Sequence, residues 1–558
     1  MNKVNTIRES IPSTNEQVTH TNSFQGTVLN SFTPTNEEEV RNIIKERGIK
    51  TSSEDPIPAK LLKSVIDDVI PFYVHLVNKS FSEGNVEGIK QSVIDPLLKK
   101  FGLDCDDKKH YRPVSNLVFL SSKLIERVVL QRLDDHMNVN NLHRDEQFGY
   151  KKYHSTETMI LGIVNDILSG FDEGKATIMV FLDLSAAFDT IDIEKMLVVL
   201  SDDLGIQGLA LEWCKSFLLG RKQRVQINGS YSESLTVEYG VPQGSSLGPK
   251  FFNAYVRSQP EVFHKCEFKT SSFADDANGK KTFALTFQYS VLVNDVPNLV
   301  DKIVQWMNAY FLKINPDKTE IVLFHPKSQQ NDVIIRGTML EGKCIRFSKE
   351  TKNVGVWLDE NLTLESHTNR TVSHCYKLLR DIGRVRNMLT NEHTAQLVHA
   401  VISSKLDYCN SLYINIDHTN LFKLQKVQNA AARLVVRKGK RHSITPILRE
   451  LHWLKVEARI VFKVLLLTHK SVNQKCSNNL AIKYKSYNYR PEDFLKLETT
   501  KVKTKYGMRM FNYASARFWN TLPLHLRILE DTDIYKKEIK TLLFGQYEEF
   551  MQKVCKYK

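Results

Sequence analysis

Apolar and polar positions repeat with different periods along this chain, and each change of period marks an element. Residues 1–34 are rich in Ser, Thr and Asn and carry no apolar repeat, so a loose, disordered opening is expected. A helical preface over 35–89 follows. Thr35 is placed to cap its first helix, with Glu37 to Glu39 at the positive end of the helix dipole. Ile178 to Phe181 is a β-branched and aromatic run that reads as a buried strand delivering Asp183. Asp192 is expected to cap a helix whose buried face is Ile193, Met196, Leu197, Leu200 and Leu204, with Gly205 stopping it.

Residues 267–287 read as two strands around Ala274-Asp275-Asp276-Ala277-Asn278-Gly279, with Asn278-Gly279 as the hairpin-turn signal. Val300, Ile303, Val304, Met307, Tyr310, Phe311 and Ile314 mark one face of a long helix starting near Pro297. Asn315-Pro316-Asp317 should break it before a strand over Ile321 to Phe324. Beyond residue 360 the repeat Leu421, Leu424, Val427, Ala431, Leu434 and Val435 predicts a helical bundle, and 471–507 reads as a linker or extended segment.

Charge adds a partner class. Lys and Arg number 77 against 63 Asp and Glu, a formal charge of +14 over 558 residues, which favours a polyanion such as nucleic acid. The cluster Arg433, Arg437, Lys438, Lys440 and Arg441 would follow a phosphate backbone without reading bases. No apolar run approaches the roughly 18 residues of a membrane span, and no basic start precedes an apolar core. An intracellular protein with no membrane partner is therefore expected, in nucleus, cytoplasm or both. The eight cysteines form no CxxC pair and no zinc-type spacing, so they are read as reduced structural thiols.

The candidate chemistry lies in three carboxylates. Asp183 sits at a strand end within Phe181-Leu182-Asp183-Leu184-Ser185-Ala186-Ala187-Phe188-Asp189, and Asp275 and Asp276 sit together on the hairpin. Hard oxygen ligands in that number suit two divalent ions that activate a primer 3′-hydroxyl and stabilise a triphosphate leaving group. Between them, Gly240-Val241-Pro242-Gln243-Gly244-Ser245-Ser246-Leu247-Gly248-Pro249 is a Gly/Pro-rich loop that permits close backbone approach to a substrate.

LDLSAAFD, GVPQGSSLGP, FADD and LKINPDKTEIVLF, in that order, resemble the palm motifs of the reverse transcriptases of non-LTR (LINE-type, jockey-like) retrotransposons. Tyr111-Arg112-Pro113-Val114-Ser115, Gln147-Phe148-Gly149-Tyr150 and His154-Ser155-Thr156-Glu157 are similar to the family's fingers, and 406–413 and 424–431 to its thumb. The resemblance implies an α/β (α+β) right-hand polymerase, with fingers and an antiparallel palm sheet over 90–345. A helical thumb-like region over 346–470 and a basic extension over 471–558 would follow. It also implies RNA-directed DNA polymerase activity on an RNA template and DNA primer with dNTPs and Mg²⁺, Mn²⁺ being the alternative ion.

By the same resemblance Asp183, Asp275 and Asp276 hold the metal, and Phe188 is the aromatic gate against a 2′-hydroxyl. Gln243 lines the incoming nucleotide, Arg112 with Lys100 meets its triphosphate, and Lys318 protonates pyrophosphate. Fewer than about 100 residues precede the fingers motifs, so an endonuclease domain is not expected in this chain. Ala277 and Lys250 depart from the family pattern. The alternatives are an inactive or domesticated copy that only binds nucleic acid, and another palm enzyme such as an RNA-dependent RNA polymerase.

Overall fold

The structure is a computed structural model and describes residues 2–11, 24–47, 61, 64–86, 90–100, 102–117, 123–315, 318–340, 343–480, 482–486 and 494–556. Nine strands concern the site: β1 Gln91–Leu98, β2 Tyr111–Asn116, β3 Ala176–Leu182, β4 Lys222–Ile227, β5 Ser230–Tyr231, β6 Leu235–Thr236, β7 Lys269–Phe273, β8 Asp276–Phe283 and β9 Glu320–Phe324. The chain folds into two compact units, each discontinuous in sequence. One comprises 1–150, 183–265 and 301–318; the other 151–182, 266–300 and 319–558.

The first unit holds a mixed sheet in the order β2-β1-β4-β5, with β6 also on β4. β1 pairs antiparallel with β2 and parallel with β4. Helices Glu37–Arg47 and Ile66–Glu83 close a small core of Val40, Ile44, Ile70 and Tyr73 on Leu124 of helix Leu124–Val139. The expected cap differs here. Asn36, not Thr35, accepts the Glu39 N–H at 2.9 Å, while the Thr35 hydroxyl donates to the Glu39 carboxylate at 2.6 Å.

The opening segment, expected to be loose, also differs, because helix Asn2–Glu9 is anchored by its side chains. The Arg8 guanidinium pairs with Asp192 at 2.7 Å and lies over the Tyr239 and Phe311 rings. Residues 12–23 lie outside the described residues. Asp192 caps helix Ile193–Val198 as expected, accepting the Lys195 N–H at 3.0 Å. A π turn over Val199–Asp203 then rotates the face, so Val199 is buried while Leu197 is half-exposed, and Gly205 at φ +64° ends it.

The second unit holds the antiparallel sheet β7-β8-β3-β9. β3 is central, and six of its seven residues are buried, which is why it reads as a continuous apolar run. Burial of Ile178 or Val180 contributes about 1.5–3 kcal/mol each.

The hairpin turn is not where its dipeptide signal lies. Phe273 pairs with Asp276, so Ala274, at φ +57°, and Asp275 make the turn. Asn278 and Gly279 are interior to β8, paired with Ser271 and Thr270. The helix that follows spans Val296–Ala309, short of the expected break, because Phe311 takes φ +52° and Ile314 bridges Leu184. Pro316 and Asp317 lie outside the described residues.

The bundle follows as predicted, with Leu424, Val427, Ala431 and Val435 of helix His418–Val436 buried and Leu421 and Leu434 half-buried. Within 471–507, the backbone N–H groups of Lys503 and Thr504 donate to Asp172. Burial pushes the Cys214 and Cys409 thiols up to about 12, consistent with structural rather than reactive roles. Among the described residues no helix is long and apolar enough to cross a membrane.

Candidate active site

Within the first unit, the segment after Leu182 turns rather than forming a helix, with Ala186 at φ +53°. It is tied to the residues that follow helix Val296–Ala309. Ser185 N–H donates to Lys313 O at 2.9 Å and Asn315 N–H to Asp183 O at 2.8 Å. Lys318 Nζ then reaches Asp183 Oδ2 at 3.1 Å, with the Asn315 amide at 3.4 Å from the same oxygen. Two residues predicted from separate motifs, Asp183 and Lys318, are thus in contact.

The turn is also zipped to the Gly/Pro-rich loop. Gly240 N–H donates to Ile191 O and Val241 N–H to Phe188 O, at 2.8 and 2.9 Å. A Cβ on Gly240 would meet the Asp189 and Phe188 backbone at 2.8 Å, and the φ of +85° disfavours a side chain in any case. Gln243 Nε2 donates to both oxygens of Asp189, at 3.1 and 3.2 Å. Phe188 is half-buried and stacks on the buried Phe252, ring centroids 4.6 Å apart at 20°. It is therefore not a core residue on a helix face.

A cleft of about 400 Å³ opens beside this loop. Gln243, Asp189 and Ala186 line it, facing Ser92, Ile94 and Pro96 of β1 and Tyr111, Pro113 and Ser115 of β2. Side chains alternate along a strand, so Arg112 lies on the other face of β2 and does not line this cleft, contrary to expectation. Lys100 is exposed and likewise outside it, whereas Lys99, Lys108 and Arg221 line it. Sequence reasoning missed these three cations. Strand alternation through the 111–115 motif, which selects the odd-numbered residues, was the signal that could have set Arg112 aside. Val4 and Asn5 of the N-terminal helix also reach the cleft.

Lys250 departs from an apolar expectation yet is buried. Its ammonium pairs with Asp134, which explains how the site tolerates it. In the basic cluster, Arg433 and Arg437 donate to the backbone carbonyls of His442 and of Arg386 and Leu389, so part of that charge serves the fold.

In the second unit, Asp275 sits in the turn and Asp276 opens β8. Ala277 is buried and pairs with Leu182, the last residue of β3. Among the described residues no group of three or more His, Cys, Asp or Glu side chains converges as a preformed metal cage. Mg²⁺ commonly needs only one or two carboxylates together with substrate phosphates, and the aspartates offer the hard oxygen donors it prefers.

Residues 98–358 match the family model for reverse transcriptase (RNA-dependent DNA polymerase). The probable RNA-directed DNA polymerase from transposon BS of Drosophila melanogaster is 26% identical over 345 residues, covering 61% of this chain and 37% of the relative. The RNA-directed DNA polymerase from mobile element jockey of the same fly is 27% identical over 410 residues, covering 71% and 43%. The chain thus spans less than half the length of these curated relatives. Among solved structures, apo telomerase from Candida tropicalis matches 88% of this chain and 74% of its own at 12% identity, with a TM-score of 0.38. Residues 98–358, which carry the aspartates and the Gln243 loop, thus match the reverse transcriptase family model, and the chain is similar to the RNA-directed DNA polymerases of jockey-type mobile elements.

Proposed function

We propose that the chain is an RNA-directed DNA polymerase that extends a DNA primer on an RNA template, with Asp183, Asp275 and Asp276 acting together at the reacting phosphates. The observation that carries this reading is the family match over residues 98–358, a span that holds all three aspartates together with the Gln243 loop. A bound divalent ion, Mg²⁺ with Mn²⁺ as alternative, would supply Lewis acidity to the primer hydroxyl and the triphosphate.

The incoming nucleotide takes the cleft beside Gln243. Lys99 and Lys108 offer cations to its phosphates, as Arg112 and Lys100 were expected to do. Phe188, held from one side by Phe252, limits space at the sugar 2′ position. Lys318, in contact with Asp183, is the proton donor to departing pyrophosphate.

The test is primer extension by the purified chain on an RNA template with Mg²⁺ and dNTPs. Metal-dependent DNA is expected from the wild type and none from Asp275→Asn/Asp276→Asn. Equal extension by both proteins would overturn the carboxylate assignment. No product from folded wild type that binds template–primer would favour a chain that only binds nucleic acid.

A further inference from the structure

We infer that Glu126 is a positioning residue for nucleotide binding, acting at a distance through the Gln243 loop; this rests on the polymerase reading above. Glu126 lies on helix Leu124–Val139 and is 0% exposed. A single oxygen, Oε2, accepts the Ser245 hydroxyl at 2.7 Å and the backbone N–H groups of Ser246 and Leu247 at 2.5 and 3.3 Å. Ser245 Oγ in turn accepts the N–H groups of Leu247 and Gly248, both at 3.1 Å. One buried carboxylate therefore organises the turn that leads from Gln243 into helix Gly248–Tyr255.

The other end of the same loop is fixed by β2. Ser115 N–H donates to Gln243 O at 2.7 Å, and a Cβ on Gly244 would meet Ser115 O at 2.4 Å. Gln243 thus hangs between two anchors.

A buried carboxylate is costly unless a counter-charge and hydrogen bonds compensate it. Arg221, 3% exposed, supplies a neighbouring positive charge that Glu126 helps to retain against burial, and it lines the same cleft as Gln243. A neutral side chain could fill the volume, but only an anion makes charge-assisted bonds to this set of donors. The consequence is a loop backbone set before the nucleotide arrives, so that binding does not bear the cost of ordering it.

The experiment compares the full chain with Glu126→Gln, which keeps size and one acceptor but removes charge, and with Ser245→Ala, which removes the hydroxyl that bonds Glu126 and accepts the Leu247 and Gly248 N–H groups. Each is expected to raise KM for dNTP about tenfold, the effect of losing charge-assisted hydrogen bonds. kcat should stay within about twofold, and template–primer affinity should be unchanged. Because the effect runs through Gln243, the double variant Glu126→Gln/Gln243→Ala should be no worse than Gln243→Ala alone. Backbone hydrogen exchange at Ser246 and Leu247 should speed up at least tenfold in Glu126→Gln. Additive KM effects, or equal loss of template–primer binding, would overturn the positioning role. Unchanged exchange would overturn the anchor itself, and it is read without turnover. A wild type that makes no DNA would instead remove the polymerase reading while the exchange arm still decides the anchor.

Discussion

Asp189 presents both carboxylate oxygens to the side-chain amide nitrogen of Gln243, at 3.1 and 3.2 Å, and so fixes which end of that amide faces the cleft. With Nε2 committed to Asp189, Oε1 is the end left to meet a nucleotide. Asp189→Ala removes the orientation without touching the carboxylates proposed to act at the phosphates. Steady-state kinetics should show KM for dNTP raised roughly tenfold, since a hydrogen bond to a charged partner contributes about 1.5–3 kcal/mol. Asp189→Asn should retain part of the effect through its remaining carbonyl oxygen. An unchanged KM in Asp189→Ala would show that the amide orientation is immaterial.

Phe188 is the next lever, because its ring is held flat against Phe252 at 4.6 Å rather than buried in a helix interface. Phe188→Ala should admit ribonucleotides, raising their relative kcat/KM by about 10²-fold, the order expected when discrimination rests on one hydroxyl. Competition between labelled rNTP and dNTP measures it directly. Unchanged selectivity would remove Phe188 as the gate.

Lys318 reaches Asp183 at 3.1 Å while its side chain remains 65% exposed, so it can leave that contact for a departing phosphate. Lys318→Met should lower kcat about 10²-fold, the scale of general-acid assistance, with dNTP affinity largely retained. Parallel loss of affinity and rate would make it a binding residue instead.

The strand Ala176–Leu182 and the Asp192 cap were legible because both signals are local: a β-branched run needs only burial, and Asp192 bonds a backbone N–H three residues on. Asn278-Gly279 misled because β8 pairs on both edges. Gly279 faces Thr270 and Val180, and burial of Asn278 within the sheet overrides the dipeptide's turn preference. Glu126 was invisible for the opposite reason. In Lys123-Leu124-Ile125-Glu126 it reads as an ordinary helix charge, and its partners lie about 120 residues downstream. Lys99 and Arg221 were missed likewise, since only the folding of β1 beside β4 brings their segments together.

Lys250 gives a stability prediction at another departure from the family pattern. Its ammonium is buried against a half-exposed Asp134. Asp134→Ala leaves that charge without its partner and should cost about 1–3 kcal/mol in urea unfolding. Lys250→Met restores an apolar side chain of similar length and should be neutral or stabilising. If both variants lose stability equally, the ion pair rather than the volume sustains this corner.

His367 sets a pH dependence in the second unit. It is 8% exposed on helix Glu365–Val385, stacks on Tyr413 with centroids 6.1 Å apart, and burial lowers its pKa from 6.5 to about 4. The unfolded chain therefore binds this proton more readily than the folded one, and protonation favours unfolding. The stability held by neutral His367 is complete above about pH 6.5 and is lost progressively as pH falls toward 4, where the loss levels off. At pH 5 it amounts to about 2 kcal/mol, at 1.36 kcal/mol per unit. Carboxylates titrate in the same range, so the quantity to compare is the difference between wild type and His367→Leu, measured by denaturant unfolding at pH 7 and pH 5. Leu cannot take up the proton, so the variant should lose about 2 kcal/mol less than the wild type between those two pH values. Identical pH slopes would mean that His367 is already solvated enough to titrate normally in the folded state.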